Sequence, residues 1–122
     1  TAEGNDPDGF LFIGSSDMTI SGNMAFYNRM RGITFEGCQG CLATGNISHS
    51  HGVLGFAIYG SMDMTLAENV AYNNQYHGFA ILHEAGSTTF RGNESYENEG
   101  AGFFKRRKKK RMIVIMMRVK EK

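Results

Sequence analysis

Apolar residues along this chain fall in short alternating runs, and the runs return at a step of 23 residues. Gly9-Phe10, Gly32-Ile33, Gly55-Phe56 and Gly78-Phe79 open successive units, and Gly102-Phe103 follows one residue late. Asn23, Asn46, Asn69 and Asn93 keep the same step with the same late shift. A fixed period of this length signals one structural unit stacked on itself. Each unit holds three runs of strand character separated by Gly, Asn, Ser or Asp. They cover residues 10–13, 18–20 and 24–27, then 33–36, 41–43 and 47–50, then 56–59, 64–66 and 70–73, then 79–82, 88–90 and 94–97. No window of this body sustains helical periodicity. Three strands and three turns per repeat predict one coil of a parallel β-helix, with coils stacked at the spacing of paired strands.

The columns of this stack predict what points inward. Phe10, Ile33, Phe56 and Phe79 form one apolar column. Phe12, Phe35, Ile58 and Ile81 form the next, two residues on, as strand alternation requires. Met18, Cys41 and Met64, with Ile20, Ala43, Leu66 and Phe90, serve the second wall. Ala25, Ser48, Ala71 and Ser95 are all small, which suits a cramped corner, and the sequence leaves their direction open. Asn23, Asn46, Asn69 and Asn93 are expected to form a structural ladder. An asparagine at a tight turn tolerates unusual backbone angles, and its amide can donate to one coil and accept from another. Asn28, Asn74 and Asn98, with His51 in the odd coil, form a second polar column.

A chain of 122 residues holds one domain at most, with a modest core. Its net charge of +1 conceals a split. Residues 1–104 carry three basic residues against eleven acidic ones, a balance of −8, and residues 105–122 carry ten against one, a balance of +9. That asymmetry predicts three parts: a lead-in over 1–8, the β-helix repeats over 9–104 and a basic non-repeat tail over 105–122. The tail uses only Lys, Arg, Met, Ile, Val and Glu, all encodable by A and G with one T. It is read as a cap, a disordered segment or an out-of-frame translation. The start lacks a Met and a signal-peptide pattern, and no apolar run approaches membrane length. These features, with end coils that lack an evident cap, suggest a fragment whose partners include neighbouring β-helix coils of a longer chain. Two cysteines do not define a redox compartment.

The Gly-apolar openings, the Gly-Asn and Glu-Asn turns and the Asn column resemble the right-handed parallel β-helix repeats of the pectate-lyase-like superfamily, over about residues 9–104. Asn69-Val70-Ala71-Tyr72-Asn73-Asn74 followed by His77-Gly78-Phe79 is similar to coils of mannuronan C5-epimerases and alginate lyases. It is also similar to repeats of G8-domain surface proteins. The resemblance implies a polysaccharide or glycan partner and an extracellular, cell-surface or periplasmic setting. The epimerases carry an Asp-Pro-His motif on the first strand of a coil. Here the nearest string is Asn5-Asp6-Pro7-Asp8, with Asp8 in place of His and out of register with the repeat. No catalytic residue is therefore assigned.

The outward positions of the first strand are the expected ligand face: Leu11 and Ile13, Thr34 and Glu36, Ala57 and Tyr59, Ala80 and Leu82, with His83 and Glu84 beyond. Sugar sites need rings to stack on and polar groups for hydroxyls. Glu36, Tyr59, His83 and Glu84 are the candidate substrate-binding residues. Two carboxylates near a His could also move protons, but Glu36 and Glu84 stand two coils apart, roughly 10 Å. Cys38-Gln39-Gly40-Cys41 with His49 and His51 has the composition of a zinc or copper site. Yet Cys41 falls in a core column and His49 in a column with Phe26, Tyr72 and Tyr96, so no metal and no cofactor is expected. His77, before a coil-opening Gly, reads as a turn residue. No nucleic-acid partner and no membrane span are expected.

The expectation is an all-β, right-handed parallel β-helix of about four to five coils, three strands per coil. Its expected role is polysaccharide binding or structural support within a larger extracellular or surface protein. The alternatives are a fragment of a polysaccharide lyase, epimerase or hydrolase lacking its complete catalytic set, and an intracellular β-helix adaptor targeted by its tail.

Overall fold

The computed structural model describes residues 1–82, 87–105 and 113–120, the last span as backbone. The described chain is all β: an all-parallel solenoid without a helix. The first wall is a five-stranded sheet of β2 (Asp8–Ile13), β5 (Arg31–Glu36), β8 (Leu54–Tyr59), β11 (Phe79–Ile81) and β13 (Phe103–Lys105). The second wall stacks β3 (Thr19–Ser21), β6 (Leu42–Thr44) and β9 (Met64–Ala67). The third stacks β1 (Ala2–Glu3), β4 (Met24–Phe26), β7 (Ile47–His49) and β10 (Val70–Tyr72). In the fourth coil the second and third strands fuse into one, β12 (Thr88–Tyr96). That fusion joins the two walls into a single sheet. The backbone of β14 (Ile113–Lys120) runs parallel along β12.

Register follows the repeat. Phe10 pairs with Ile33, Ile33 with Phe56, Phe56 with Phe79 and Phe79 with Phe103. The step is 23 residues from Ile58 to Ile81 but 24 from Met64 to Thr88, so the extra residue of the fourth coil lies between Ile81 and Thr88. Among the described residues, fifteen buried apolar ones from all three walls form the core, with Phe35, Phe56, Phe79 and Phe90 its largest members. Phe56 and Phe79 stack at 4.7 Å between centroids. Met18 departs from its column: Cys41 and Met64 are 1% exposed, but Met18, in the first coil, is 38% exposed.

The cramped corner has a definite occupant. Ala25, Ser48, Ala71 and Ser95 are fully buried and face the glycines that open the first-wall strands. A Cβ on Gly55 would lie 2.6 Å from the Gly78 carbonyl oxygen and 3.0 Å from the Ala71 Cβ. Only glycine fits that approach. Ser48 and Ser95 use the same proximity, donating to the Gly55 and Gly102 carbonyls at 2.7 and 3.0 Å.

Two polar columns tie the coils together. Asn69 Oδ1 accepts from the Asn46 N–H and Nδ2–H at 2.9 and 3.0 Å, and Asn93 Oδ1 accepts from Asn69 in the same way. Asn23 donates likewise to Asn46 Oδ1. The remaining amide hydrogens reach back to wall-two carbonyls: Asn46 to Ile20, Asn69 to Ala43, Asn93 to Leu66. Asn5, Asn28, His51, Asn74 and Asn98 make the second column. His51 substitutes for an amide atom by atom. Its Nδ1 accepts from the Asn28 N–H at 3.2 Å, which leaves the proton on Nε2 to donate to the Ala25 carbonyl at 3.1 Å.

Candidate functional site

The outer side of the first wall carries the candidate site. Parallel pairing sets Glu36 beside Tyr59, with Ile13 on the far side of Glu36. Ile13 and Glu36 are exposed and Tyr59 is half-buried. His83 and Glu84 lie outside the described residues. Two of the four candidate residues are thus brought together.

The middle column of this face differs from the expectation of an open surface. Thr34, Ala57 and Ala80 point away from the core, yet each is at most 1% exposed. Larger side chains from the flanking columns close over them. Leu54 joins Ala57 and Ala80 in a second apolar cluster, against which Val53, Tyr59, Leu82 and Phe104 pack. At the other end Arg31 crosses the face. Its Nε donates to Asp8 Oδ1 at 2.7 Å, and its Nη1 donates to the Tyr59 hydroxyl at 2.7 Å. The guanidinium carbon sits 5.4 Å from the Tyr59 ring centroid. By register this reach spans the Thr34–Ala57 floor. Burial disfavours the Arg31 cation, but the Asp8 carboxylate and the Tyr59 hydroxyl more than offset it, and its pKa is raised.

His77 also lies on this side, in the turn between β10 and β11, and is buried there. Its ring is sandwiched between Tyr76 at 3.9 Å and Phe104 at 4.5 Å. Nδ1 accepts from the Ala101 N–H at 2.9 Å, so the neutral ring carries its proton on Nε2. Burial pushes the His77 pKa down and keeps it neutral.

These packing choices leave a chemical signature. The described residues contain three buried side-chain polar atoms without a hydrogen-bond partner: Asp8 Oδ2, Thr34 Oγ1 and His77 Nε2. All three belong to the outer side of the first wall. Asp8 lies on β2, Thr34 on β5 and His77 just before β11, so the three are spread along the stack. Such groups are costly to bury unpaired, and all three lie beneath neighbouring side chains, not presented to a ligand on the surface.

The cysteine and histidine cluster does not assemble a metal site, and no group of three or more potential ligands occurs among the described residues. His49 stacks between Phe26 at 5.3 Å and Tyr72 at 4.6 Å, and Tyr72 stacks on Tyr96 at 5.1 Å. His51 is committed inside its polar column. No helix among the described residues is long and apolar enough to cross a membrane.

A family profile described as a right handed beta helix region matches residues 1–111. Among solved structures, the crystal structure of a mutant of the periplasmic alginate epimerase AlgG is similar, with a TM-score of 0.73 and 16% identity. The match covers 98% of this chain and 35% of that one, so this chain spans about a third of the epimerase's length. At that identity the likeness is one of fold. No curated protein matches.

Proposed function

The chain belongs to the right-handed β-helix family, and from that premise we propose that it is a polysaccharide-binding segment of a larger protein. The outer side of the first wall is the ligand face, and the setting is extracellular, cell-surface or periplasmic. The observation that carries this reading is the placement of exposed Glu36 beside half-buried Tyr59 on adjacent coils of that face. Together they offer a carboxylate and a ring edge with a hydroxyl to a sugar. The face is ordered by apolar packing beneath and between these groups, which suits a ligand that binds along several coils. The substrate class and the setting are proposed by analogy with the periplasmic alginate epimerase that shares this fold.

The role is binding, not turnover. The Asp8 carboxylate is tied to Arg31, and His77 Nδ1 is tied to the Ala101 amide. Neither is disposed to take a proton from a sugar. The second reading, a portion of a polysaccharide lyase or epimerase, is favoured by the epimerase match and by the third of its length that this chain spans.

The two readings separate on one experiment. The full chain is applied to arrayed oligomannuronates, oligoguluronates and neutral glucans, and the same mixtures are assayed for unsaturated uronate products. Binding that falls about tenfold in Tyr59→Ala, without product, fits the first reading. A tenfold loss corresponds to about 1.4 kcal/mol, the scale of one good ring or hydrogen-bond contact. Release of unsaturated product overturns the noncatalytic reading. Binding that Tyr59→Ala and Glu36→Gln both leave intact overturns the assignment of the face.

A further inference from the structure

Cys38 and Cys41 bracket the turn that carries the second coil from the first wall to the second. Both side chains point into the core, and each residue is 1% exposed. In the coils on either side the bridges of Gln39 to Ser16 and Met62 fix the register. Ser15 and Ser61 therefore occupy the Cys38 position, and Met18 and Met64 the Cys41 position. A hydroxyl and a thioether elsewhere become two thiols in one turn here.

The two thiols leave one turn toward the same neighbouring coil. Cys41 Sγ donates to the Ser15 backbone carbonyl at 3.6 Å. Cys38 Sγ also donates to the Phe12 carbonyl at 3.4 Å. Gly40, at φ +68°, gives the turn the tightness that brings the ends together. Two buried cysteines three residues apart at the ends of one tight turn, shielded from solvent, are placed to close on each other rather than on another chain.

We propose that Cys38 and Cys41 are a dithiol–disulfide pair, oxidised by exchange with a small disulfide of the glutathione class. One protein thiolate attacks a sulfur of glutathione disulfide and expels one glutathione thiolate, leaving a mixed disulfide. The second protein thiolate attacks the protein sulfur of that bond and expels the other glutathione. Two protein thiols are oxidised to one disulfide, and one glutathione disulfide is reduced to two glutathiones. Burial raises the Cys38 pKa and limits the thiolate in the folded state. Exchange therefore proceeds as the chain folds or as the turn opens. An oxidising compartment, where such bonds persist, traps the closed form.

The test uses the full chain, unfolded and then refolded in a glutathione redox buffer. The oxidised product is expected to be lighter by two hydrogen atoms, to take up no N-ethylmaleimide in denaturant, and to give one peptide linking Cys38 to Cys41. Its circular dichroism should match that of the reduced protein. Cys38→Ser, which installs the residue of the neighbouring coils, should fold and should show no such mass loss. Two free thiols after oxidation, only mixed disulfides or intermolecular dimers, or an oxidised chain lacking the native β spectrum would each overturn the proposal.

Discussion

Acid should weaken this protein chiefly through His51. Its imidazole stands where other coils place an asparagine, with Nδ1 accepting from Asn28 and Nε2–H donating to Ala25. Burial pushes its pKa down from 6.5 to about 4 against the pull of the Ala25 carbonyl. Protonation would also turn the Nδ1 acceptor into a donor facing another donor. The folded form thus resists a proton that the unfolded chain accepts. Stability from this group is complete above about pH 6.5, declines as pH falls toward 4, and levels off below. Between pH 7 and pH 4.5 the two pKa values give a loss of roughly 2 kcal/mol, at about 1.36 kcal/mol per pKa unit. His49 and His77 are also held below their usual range by burial and act in the same direction. The assay therefore compares wild type with His51→Asn, which keeps an acceptor and a donor in the column but cannot titrate. Urea unfolding of both at pH 7, 6, 5 and 4.5 should show the wild type losing about 2 kcal/mol more than the variant. Equal losses would refute the account of His51.

Other substitutions probe the stack and the face. Asn69→Ala removes two acceptor contacts to Asn46 and two donations, to Ala43 and Asn93, all buried; it should cost about 3–5 kcal/mol in denaturant melts, and a cost below about 1 kcal/mol would contradict the ladder's role. Gly55→Ala drives a methyl against the Gly78 carbonyl and Ala71; a loss of roughly 2–4 kcal/mol is expected, and unchanged stability would show that the coils can part there. The Asp8–Arg31 pair has side chains only 4% and 22% exposed. A double-mutant cycle with Asp8→Asn and Arg31→Ala should return a coupling of about 1–3 kcal/mol. Arg29–Asp6, with side chains 75% and 60% exposed, should give next to none.

The fold was legible because stacking repeats the same environment at every coil. Once Gly9, Gly32, Gly55 and Gly78 set the step, the inward columns of Phe10 and Phe12 and the parallel pairing followed from strand alternation. The neighbourhood of Glu36 and Tyr59 followed from the same register. Three features escaped because they depend on contacts between columns. Thr34, Ala57 and Ala80 have the parity of surface positions, and only the side chains of Arg31, Leu54 and Tyr59 decide that they are covered. His77 does lie between strands, as its place before Gly78 suggests, but its burial comes from Tyr76 and Phe104, which its column does not reveal. The glycine corner explains the small column of Ala25, Ser48, Ala71 and Ser95, whose direction no single repeat reveals. The fusion of two strands into β12 across Gly92 and Asn93 is likewise invisible in a repeat that places a turn there in the other coils.

The central claim is that the outer side of the first wall holds a polysaccharide. The direct measurement is a backbone amide NMR titration of the full chain with a defined oligomannuronate. Shifts should concentrate on Thr34, Glu36, Tyr59, His77 and Ala80, with little change along the Phe26–His49–Tyr72–Tyr96 stack of the third wall. A spectrum unmoved at saturating sugar, or shifts confined to the third wall, would contradict it.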